Sequence, residues 1–136
     1  MKKGACFFCR IKAKQKESHF LSSTHFYAVF DQAPVSKGHA LIVSRKHRES
    51  FFALSGKEAA ALFAFLKKVK RVLDKRFHPA GYNIGFNQGK AAGQSLMHAH
   101  LHVIPRYAGD VKDPRGGIRN ALGNNILSPF PPKGFA

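Results

Sequence analysis

Hydrophobic and polar residues alternate along several short segments of the chain, and in one longer segment they repeat with a helical period. Strict alternation is typical of strands, in which successive side chains point to opposite faces of a sheet. The segments that predict strands are 25–30, 39–43, 82–87 and 97–104. Turn residues in 31–38 predict that the first two strands pair as a hairpin, and Pro105 is expected to end the last strand.

One long helix is predicted after the hairpin. Ser55, followed three residues later by Glu58, forms a capping-box pattern that starts a helix, and Pro79 with Gly81 marks its end. The apolar residues between these limits recur at helical spacing and are expected to be buried: Leu62, Phe65, Leu66, Val69 and Leu73. Strands, then a long helix, then further strands predict an α+β fold in which a sheet packs against the helix.

The length of 136 residues fits one compact domain, 1–136, without an internal linker or repeat. A basic start, 1–16, precedes the first predicted strand. The segment 120–136 shows little periodicity and is interpreted as a divergent tail. The chain shows neither an N-terminal apolar run typical of a signal peptide nor a segment that would span a membrane. We therefore expect a cytoplasmic protein with no membrane partner.

Positive charge is the unusual feature of the composition. Lys and Arg total 23 against 7 for Asp and Glu, which gives a formal net charge of +16. Such a chain attracts polyanions, and a phosphate-rich small substrate, nucleic acid or simple solubility would each account for it. The predicted helix carries a cluster of these charges, whose ordinary interpretation is a solvated face: Lys67, Lys68, Lys70, Arg71, Lys75 and Arg76.

Two cysteines form the pattern Cys6-Phe-Phe-Cys9 near the start of the chain. Cys-x-x-Cys supplies two thiolates at the usual spacing for zinc, and two histidines would complete a closed tetrahedral site. A redox dithiol is the rival interpretation, but redox pairs favour the end of a strand that opens a helix in a βαβ unit. Two thiols without a metal are the remaining alternative.

Three histidines alternate in the last predicted strand, which reads Met-His-Ala-His-Leu-His-Val-Ile. The period of a strand places His98, His100 and His102 on one face. The residues between them are expected to pack on the core: Ala99, Leu101 and Val103. Imidazoles act as nucleophiles, as general acids or bases and as metal ligands. A solvated polar strand face or a chance cluster are the alternatives.

Hydrogen-bond donors precede the histidines. Asn87 offers an amide and Ser95 a hydroxyl, and the glycines at 89 and 93 allow backbone N–H groups to approach a ligand closely. Attack of a neutral imidazole on phosphorus needs donors of this kind for the developing charge. The two segments together predict a phosphate-transfer site.

These motifs resemble those of the histidine-triad (HIT) superfamily. His-Ala-His-Leu-His-Val-Ile is similar to the family signature, and Gly-Gln-Ser at 93–95 is similar to the segment that precedes it. The hairpin at 31–43 resembles the family's Asp-x-x-Pro…Gly-His segment, and Arg-Lys-His at 45–47 lies where the family has Pro-Lys-x-His. The cysteine pair resembles that of zinc-binding bacterial members. Pro-Arg-Gly-Gly-Ile-Arg at 114–119 resembles a segment of bacterial members known as diadenosine polyphosphate hydrolases.

The resemblance implies a role for each motif. His100 would be the nucleophile, and His102 would bind the phosphate and indicates hydrolysis, since the transferase branch has Gln there. The implied substrate contacts are Asp31, Asn87, Gly93, Gln94, Ser95 and His102, with His39 in a supporting role. The implied ligands of a structural zinc ion are Cys6, Cys9, His47 and His98.

The resemblance also implies an antiparallel sheet of about five strands with one long helix, continued across a homodimer. The implied reaction cleaves an adenosine nucleotide, either a diadenosine polyphosphate or a nucleoside phosphoramidate, at its α-phosphate through a nucleotidyl-histidine intermediate. One alternative is a nucleic-acid-associated protein that deadenylates adenylylated ends or binds with little turnover. Another is a structural zinc module with incidental histidines.

Overall fold

The computed structural model describes residues 6–13 and 19–123, and within these ranges it contains an antiparallel sheet and two α-helices. In chain order the elements are α1 (Phe7–Ala13), β1 (Leu21–Ser22), β2 (Phe26–Phe30), β3 (Ala40–Ser44), α2 (Gly56–Phe77), β4 (Gly81–Gly85) and β5 (His100–Arg106). Single-turn or two-turn 3₁₀ helices occupy Phe51–Ala53, Lys90–Ala92 and Gly117–Leu122. Parts of the predicted basic start and most of the predicted tail, namely 1–5, 14–18 and 124–136, lie outside the described residues.

The five strands pair in the order β1-β2-β3-β5-β4, and every pairing is antiparallel. The predicted hairpin is confirmed: β2 and β3 pair from Phe26 opposite Ser44 to Phe30 opposite Ala40. The α+β class is also confirmed. Strand β1 was not predicted, because two residues are too few to show an alternating pattern.

The sheet buries both of its faces. On one face, residues of α2 pack against alternate strand residues in a core that contains Phe26, Ala28, Ala40, Ile42, Phe65, Val69, Leu73, Ala99, Leu101 and Val103. The apolar residues between the histidines lie in this core, as predicted. On the other face, a second cluster joins α1 to the remaining strand residues: Cys6, Phe8, Tyr27, Val29, Leu41 and Val43. His100 and His102 belong to this second face, because they lie opposite Val43 and Leu41 of β3.

Helix α2 begins and ends where the sequence predicts. The Ser55 hydroxyl accepts a hydrogen bond from the backbone N–H of Glu58 (3.1 Å), and the Glu58 carboxylate accepts one from the N–H of Ser55 (2.8 Å). The last helical residue is Phe77, and His78 caps the helix in the left-handed conformation (φ 52°). No helix in the described ranges is long and apolar enough to cross a membrane.

The last strand differs from its prediction at both ends, covering 100–106 in place of 97–104. Pro105 does not end it but lies within it, paired with Tyr82 of β4. The physical reason is that β3 begins at Ala40, which pairs with Val103 of β5. Beyond Val103, β5 therefore has a neighbouring strand, β4, on one side only, and Pro105 lies in this part. Proline is tolerated in such edge positions, since it lacks the N–H that a second neighbour would require.

Candidate active site and metal cluster

Strand β5 contains His100 and His102, while His98 lies in the bend just before it. The ring of Phe8 packs against the rings of both His98 and His100, on the face that carries His102.

His98 is completely buried, and its Nε2 lies 2.7 Å from the carbonyl oxygen of Ser44. A carbonyl only accepts, so Nε2 carries the proton of the neutral ring. The lone pair of Nδ1 then faces Cys6 and Cys9, away from the other two histidines.

His100 is oriented by a backbone carbonyl. Its Nδ1 lies 2.7 Å from the carbonyl oxygen of His98, so Nδ1 donates and the other ring nitrogen, Nε2, keeps a lone pair. The side chain is half-buried and lines a cleft between α1, the sheet and the loop before β5. This geometry leaves an unprotonated nitrogen available to attack an electrophile, which is what a histidine nucleophile requires.

His102 is held by a short hydrogen-bond chain. The N–H of Val35 donates to Nδ1 of His39 (3.2 Å), so the proton of neutral His39 is on Nε2. That nitrogen lies 2.9 Å from Nδ1 of His102 and 3.5 Å from a carboxylate oxygen of Asp31. His102 therefore accepts at Nδ1 and carries its own proton on Nε2, where it can donate to a bound anion.

Burial favours the neutral form of three of these histidines, namely His39, His98 and His102. It lowers the pKa of His39 below 6.5, and the nearby Asp31 carboxylate only partly opposes the shift. Burial likewise lowers the pKa of His102, and the positive forms of His100 and His39 lower it further. Burial also lowers the pKa of His98 to about 4. A neutral ring is the form that acts as a nucleophile or as a metal ligand.

The cleft has a volume of about 900 Å³, within the range of small-molecule sites. One part of its lining is apolar and comes from α1, β2 and β3: Phe7, Phe8, Ile11, Val29, Phe30 and Leu41. The other part is polar and includes Asp31, Asn87, Gly93, Ser95, His100 and His102. An elongated ligand with an aromatic or apolar end and an anionic end matches this division.

Six of the residues predicted from sequence thus line one cleft. Two others, Gln94 and His39, do not line it but form hydrogen bonds that hold its loop and His102. Gln94 is almost completely buried, and its side chain binds the loop itself: Oε1 accepts from the N–H of Gly89 (2.9 Å) and Nε2 donates to the carbonyl of Glu49 (2.9 Å). Gly93 adopts φ 90°, a conformation that favours glycine, where the loop reaches the cleft. His39 is the other supporting residue, through its contact with His102.

A second cluster joins α1 to the turn before β5. Donor atoms of Cys6, Cys9, His47 and His98 all lie within 4.8 Å of one another. Sγ of Cys6 lies 3.3 Å from Nδ1 of His98, and Sγ of Cys9 lies 3.4 Å from Nδ1 of His47. A tetrahedral zinc ion with bonds of about 2.0 to 2.3 Å separates its ligands by about 3.5 Å, so the spacing and the donor set both fit zinc.

Sequence reasoning missed one wall of the cleft. Phe7, Phe8, Arg10 and Ile11 lie on α1, a helix that the pattern of the chain did not predict. Its seven residues give fewer than two helical turns, too short a segment to show a period. The available signal was the cysteine pair: if it meets His98 at a metal, the phenylalanines between the cysteines must lie beside the histidines.

Comparison with known proteins identifies similar chains. The HIT domain family model matches residues 12–109. Protein hit of Bacillus subtilis is 36% identical over 103 residues, covering 75% of this chain and 71% of that protein. An AP-4-A phosphorylase of Mycobacterium tuberculosis is 40% identical over 85 residues, covering 62% of this chain and 44% of that protein.

Solved structures include a similar chain with metal. The crystal structure of a Zn-bound histidine triad family protein from Mycobacterium smegmatis matches with a TM-score of 0.71 and 30% sequence identity. The match covers 79% of this chain and 79% of that one.

Proposed function

The chain belongs to the HIT family, and on that premise we propose that it is a nucleotide hydrolase that cleaves its substrate at the α-phosphate. The observation that carries the proposal is the orientation of His100. Its Nδ1–H is held by the carbonyl of His98, which leaves Nε2 unprotonated in the cleft. A histidine fixed in this way can form a covalent bond to phosphorus without first losing a proton.

The division of the cleft suggests how a nucleotide binds. The base would pack against the apolar wall, in contact with Phe7 and Ile11 of α1. The Asp31 carboxylate would accept hydrogen bonds from sugar hydroxyls at the junction of the two parts. Asn87 and Ser95 would donate to phosphate oxygens at the polar end.

The reaction has two steps. Nε2 of His100 attacks the α-phosphorus, a P–N bond forms, and the bond from phosphorus to the leaving group breaks. The leaving group departs with the bonding electrons, either as a phosphate anion or as an amine that takes a proton from the solvent. Water then attacks the same phosphorus and loses a proton to the solvent, and the P–N bond breaks to release a nucleoside monophosphate. During both steps the Nε2–H of His102 donates to a phosphate oxygen, and the carbonyl of His98 stabilises the positive charge on His100.

An adenosine nucleotide with a second phosphate-linked group is the substrate class we favour, either a diadenosine polyphosphate or a nucleoside phosphoramidate. The similarity to a protein named AP-4-A phosphorylase supports the first of these. A phosphorylase uses inorganic phosphate in place of water, so phosphate should be tested beside water as the acceptor of the nucleotidyl group. Hydrolysis of an adenylyl-histidine gives AMP, whereas attack by inorganic phosphate gives ADP.

We further propose that Cys6, Cys9, His47 and His98 hold a structural Zn²⁺ ion. The support is the donor spacing, the deprotonated Nδ1 of His98 and the similarity to a zinc-bound member. Such an ion would supply a cross-link, since four protein ligands leave no position for an activated water. It would fix α1 against the cleft and hold the carbonyl that orients His100.

A homodimer is part of the same proposal. Strand β4 is the last strand in the sheet order, so one of its edges is unpaired among the described residues. Such an edge is a site for pairing with another chain. Light scattering on the purified protein would give the mass of a dimer, and a monomeric mass would contradict this part of the proposal.

The test compares the same change, histidine to asparagine, at two positions, His100 and His78. The protein is mixed with diadenosine tetraphosphate or adenosine phosphoramidate, with and without inorganic phosphate, and quenched at high pH for mass spectrometry. We expect an added adenylyl group on the peptide that contains His100, with AMP as the product. His100→Asn should lower turnover by at least about a thousandfold, as expected for loss of a nucleophile.

His78→Asn is the matched control. His78 is exposed at the end of α2 in a left-handed conformation that Asn adopts readily, so this variant should keep full turnover. Turnover retained by His100→Asn would rule out the proposed nucleophile. ADP in place of AMP would keep the intermediate but identify phosphate as the acceptor.

A further inference from the structure

The outward face of α2 carries positive charge that no acidic residue of the helix offsets. The helix contains seven basic and two acidic residues, a net charge of +5 (7 − 2), and all seven basic residues are exposed. Both acids already have partners. Glu58 pairs with Arg48 (2.8 Å), and Asp74 pairs with Lys70 (2.8 Å) and accepts from the hydroxyl of Tyr82 (2.7 Å).

Four of the cations form a line, which we call the basic stripe: Lys57, Lys68, Arg71 and Lys75. At 3.6 residues per turn they fall within about one sixth of the circumference of the helix. All four side chains are exposed, and the buried apolar residues of α2, Phe65, Val69 and Leu73, occupy a different sector of the helix surface. The basic stripe is therefore directed into solvent, and it extends over about 27 Å at 1.5 Å per residue.

The basic stripe opposes the stability of its own helix. Lys68 and Arg71 are three residues apart and Arg71 and Lys75 are four apart, so like charges meet at the spacings where side chains interact. An anion that lies along the stripe relieves this repulsion. Between the first two cations the stripe contains the small exposed residue Ala64, which lets a backbone approach the helix closely.

The length of the basic stripe identifies the class of ligand. A single nucleotide cannot contact cations separated by about 27 Å, whereas a nucleic-acid duplex, with 3.4 Å between successive phosphates of a strand, covers that distance in about eight base pairs. A membrane surface is also a polyanion, but a helix that binds firmly in its interface adds an inserted apolar face to the electrostatic attraction of its cations. The apolar face of α2 is already buried against the sheet, and Phe63 is the one large apolar residue of the helix that is mostly exposed.

We propose that the basic stripe of α2 binds the phosphate backbone of double-stranded nucleic acid. The contact is electrostatic and independent of base sequence, because lysine and arginine along a helix surface reach phosphates and not base edges. The proposal does not depend on the hydrolase activity, since the stripe and the cleft lie on opposite sides of the sheet.

The test measures binding of a fluorescein-labelled DNA duplex of about 20 base pairs by anisotropy, from about 50 to about 200 mM salt. In the stripe variant Lys68, Arg71 and Lys75 are all replaced by Ala, the best helix former, so the helix is retained. We expect its Kd at low salt to rise at least about tenfold. The slope of log affinity against log salt should become shallower by about 3.

The matched control removes the same charges elsewhere. Lys37, Lys112 and Arg119 are also two lysines and one arginine, all exposed and outside α2, and their replacement by Ala should change the Kd less than threefold. Equal losses in the two triple variants would overturn the proposal in favour of net charge alone. Absence of binding by the parent protein at low salt, or binding to vesicles of anionic phospholipid but not to the duplex, would also overturn it.

Discussion

The backbone group beside each histidine decides which of its ring nitrogens carries the proton. A carbonyl holds Nε2–H of His98 and another holds Nδ1–H of His100, so the two rings present opposite nitrogens to their surroundings. His39 differs again, because it accepts from the N–H of Val35. One residue type is thereby oriented in three different ways, which suit the tasks that we propose: metal ligation, attack on phosphorus and support of His102.

The lowered pKa of His39 predicts a pH-dependent loss of stability. Because burial places this pKa below 6.5 in the folded protein, the unfolded chain binds the extra proton first as the pH falls. The stability that neutral His39 provides is complete above about pH 6.5 and is lost as the pH falls from there towards the folded pKa.

His39→Asn isolates this effect, because Asn offers an acceptor to the same N–H but does not titrate. Urea unfolding of both proteins between about pH 8 and about pH 5 should show that the advantage of the parent over the variant shrinks in acid. The histidines that do not contact His39 titrate in both proteins and cancel in the difference, whereas the pKa of His102 also changes when its neighbour is replaced. A difference that stays constant over this range would contradict the assigned shift.

At the scale of elements, β5 and the long helix could be predicted because their side chains alternate or repeat with a period, and β2 and β3 because they are short apolar runs separated by turn residues. Helix α1 could not, and with it the apolar wall that includes Phe8 and Ile11 was missed. The start of β5 could not be predicted either. His98 continues the alternating pattern in the sequence, but it lies in a bend before the strand, where its ring contacts Cys6. Because these two residues are far apart in the chain, the local pattern does not predict their contact.

The turn between β2 and β3 depends on one glycine. Gly38 has φ 85°, and a Cβ atom there would lie 2.7 Å from Cδ2 of Phe77 at the end of α2. The Phe77 ring packs edge-on against Phe30 and under Arg76, so it has little room to move. Gly38→Ala should therefore destabilise the protein by about 2 kcal/mol, from backbone strain and from the clash together.

Urea unfolding of Gly38→Ala should be compared with that of Gly56→Ala. Gly56 begins α2, its φ is not positive, and an added Cβ would meet nothing within 4 Å. That substitution should leave the stability unchanged or raise it by up to about 1 kcal/mol, because Ala favours the helix. Equal effects of the two substitutions would show that the hairpin does not depend on the left-handed turn.

For the whole molecule, the cysteine and histidine cluster joins parts of the chain that are far apart in sequence. Cys6 and Cys9 belong to α1, His47 follows β3, and His98 precedes β5. The same α1 forms the apolar wall of the cleft. Loss of a metal from these residues would therefore affect both the stability of the fold and the binding of a nucleotide.

Metal removal is the prediction at this scale. A strong chelator should lower the melting temperature by about 4 °C or more, because metal binding contributes to folding free energy. It should also expose Arg10 and Lys12 of α1 to trypsin and weaken nucleotide binding. Cys9→Ser should show these changes without the chelator and should respond little when it is added. Resistance of α1 to trypsin after complete removal of zinc would contradict a metal-held wall.

The sheet separates the two surfaces for which we propose phosphate-containing ligands. His100 opens on the side covered by α1, while the basic stripe lies beyond α2 on the other side. A duplex lying along the stripe therefore keeps its backbone away from the nucleophile of the same molecule. Attachment to nucleic acid would then determine where in the cell the protein resides and would leave its chemistry unchanged. The protein would hydrolyse small nucleotides close to a nucleic acid that it does not cleave.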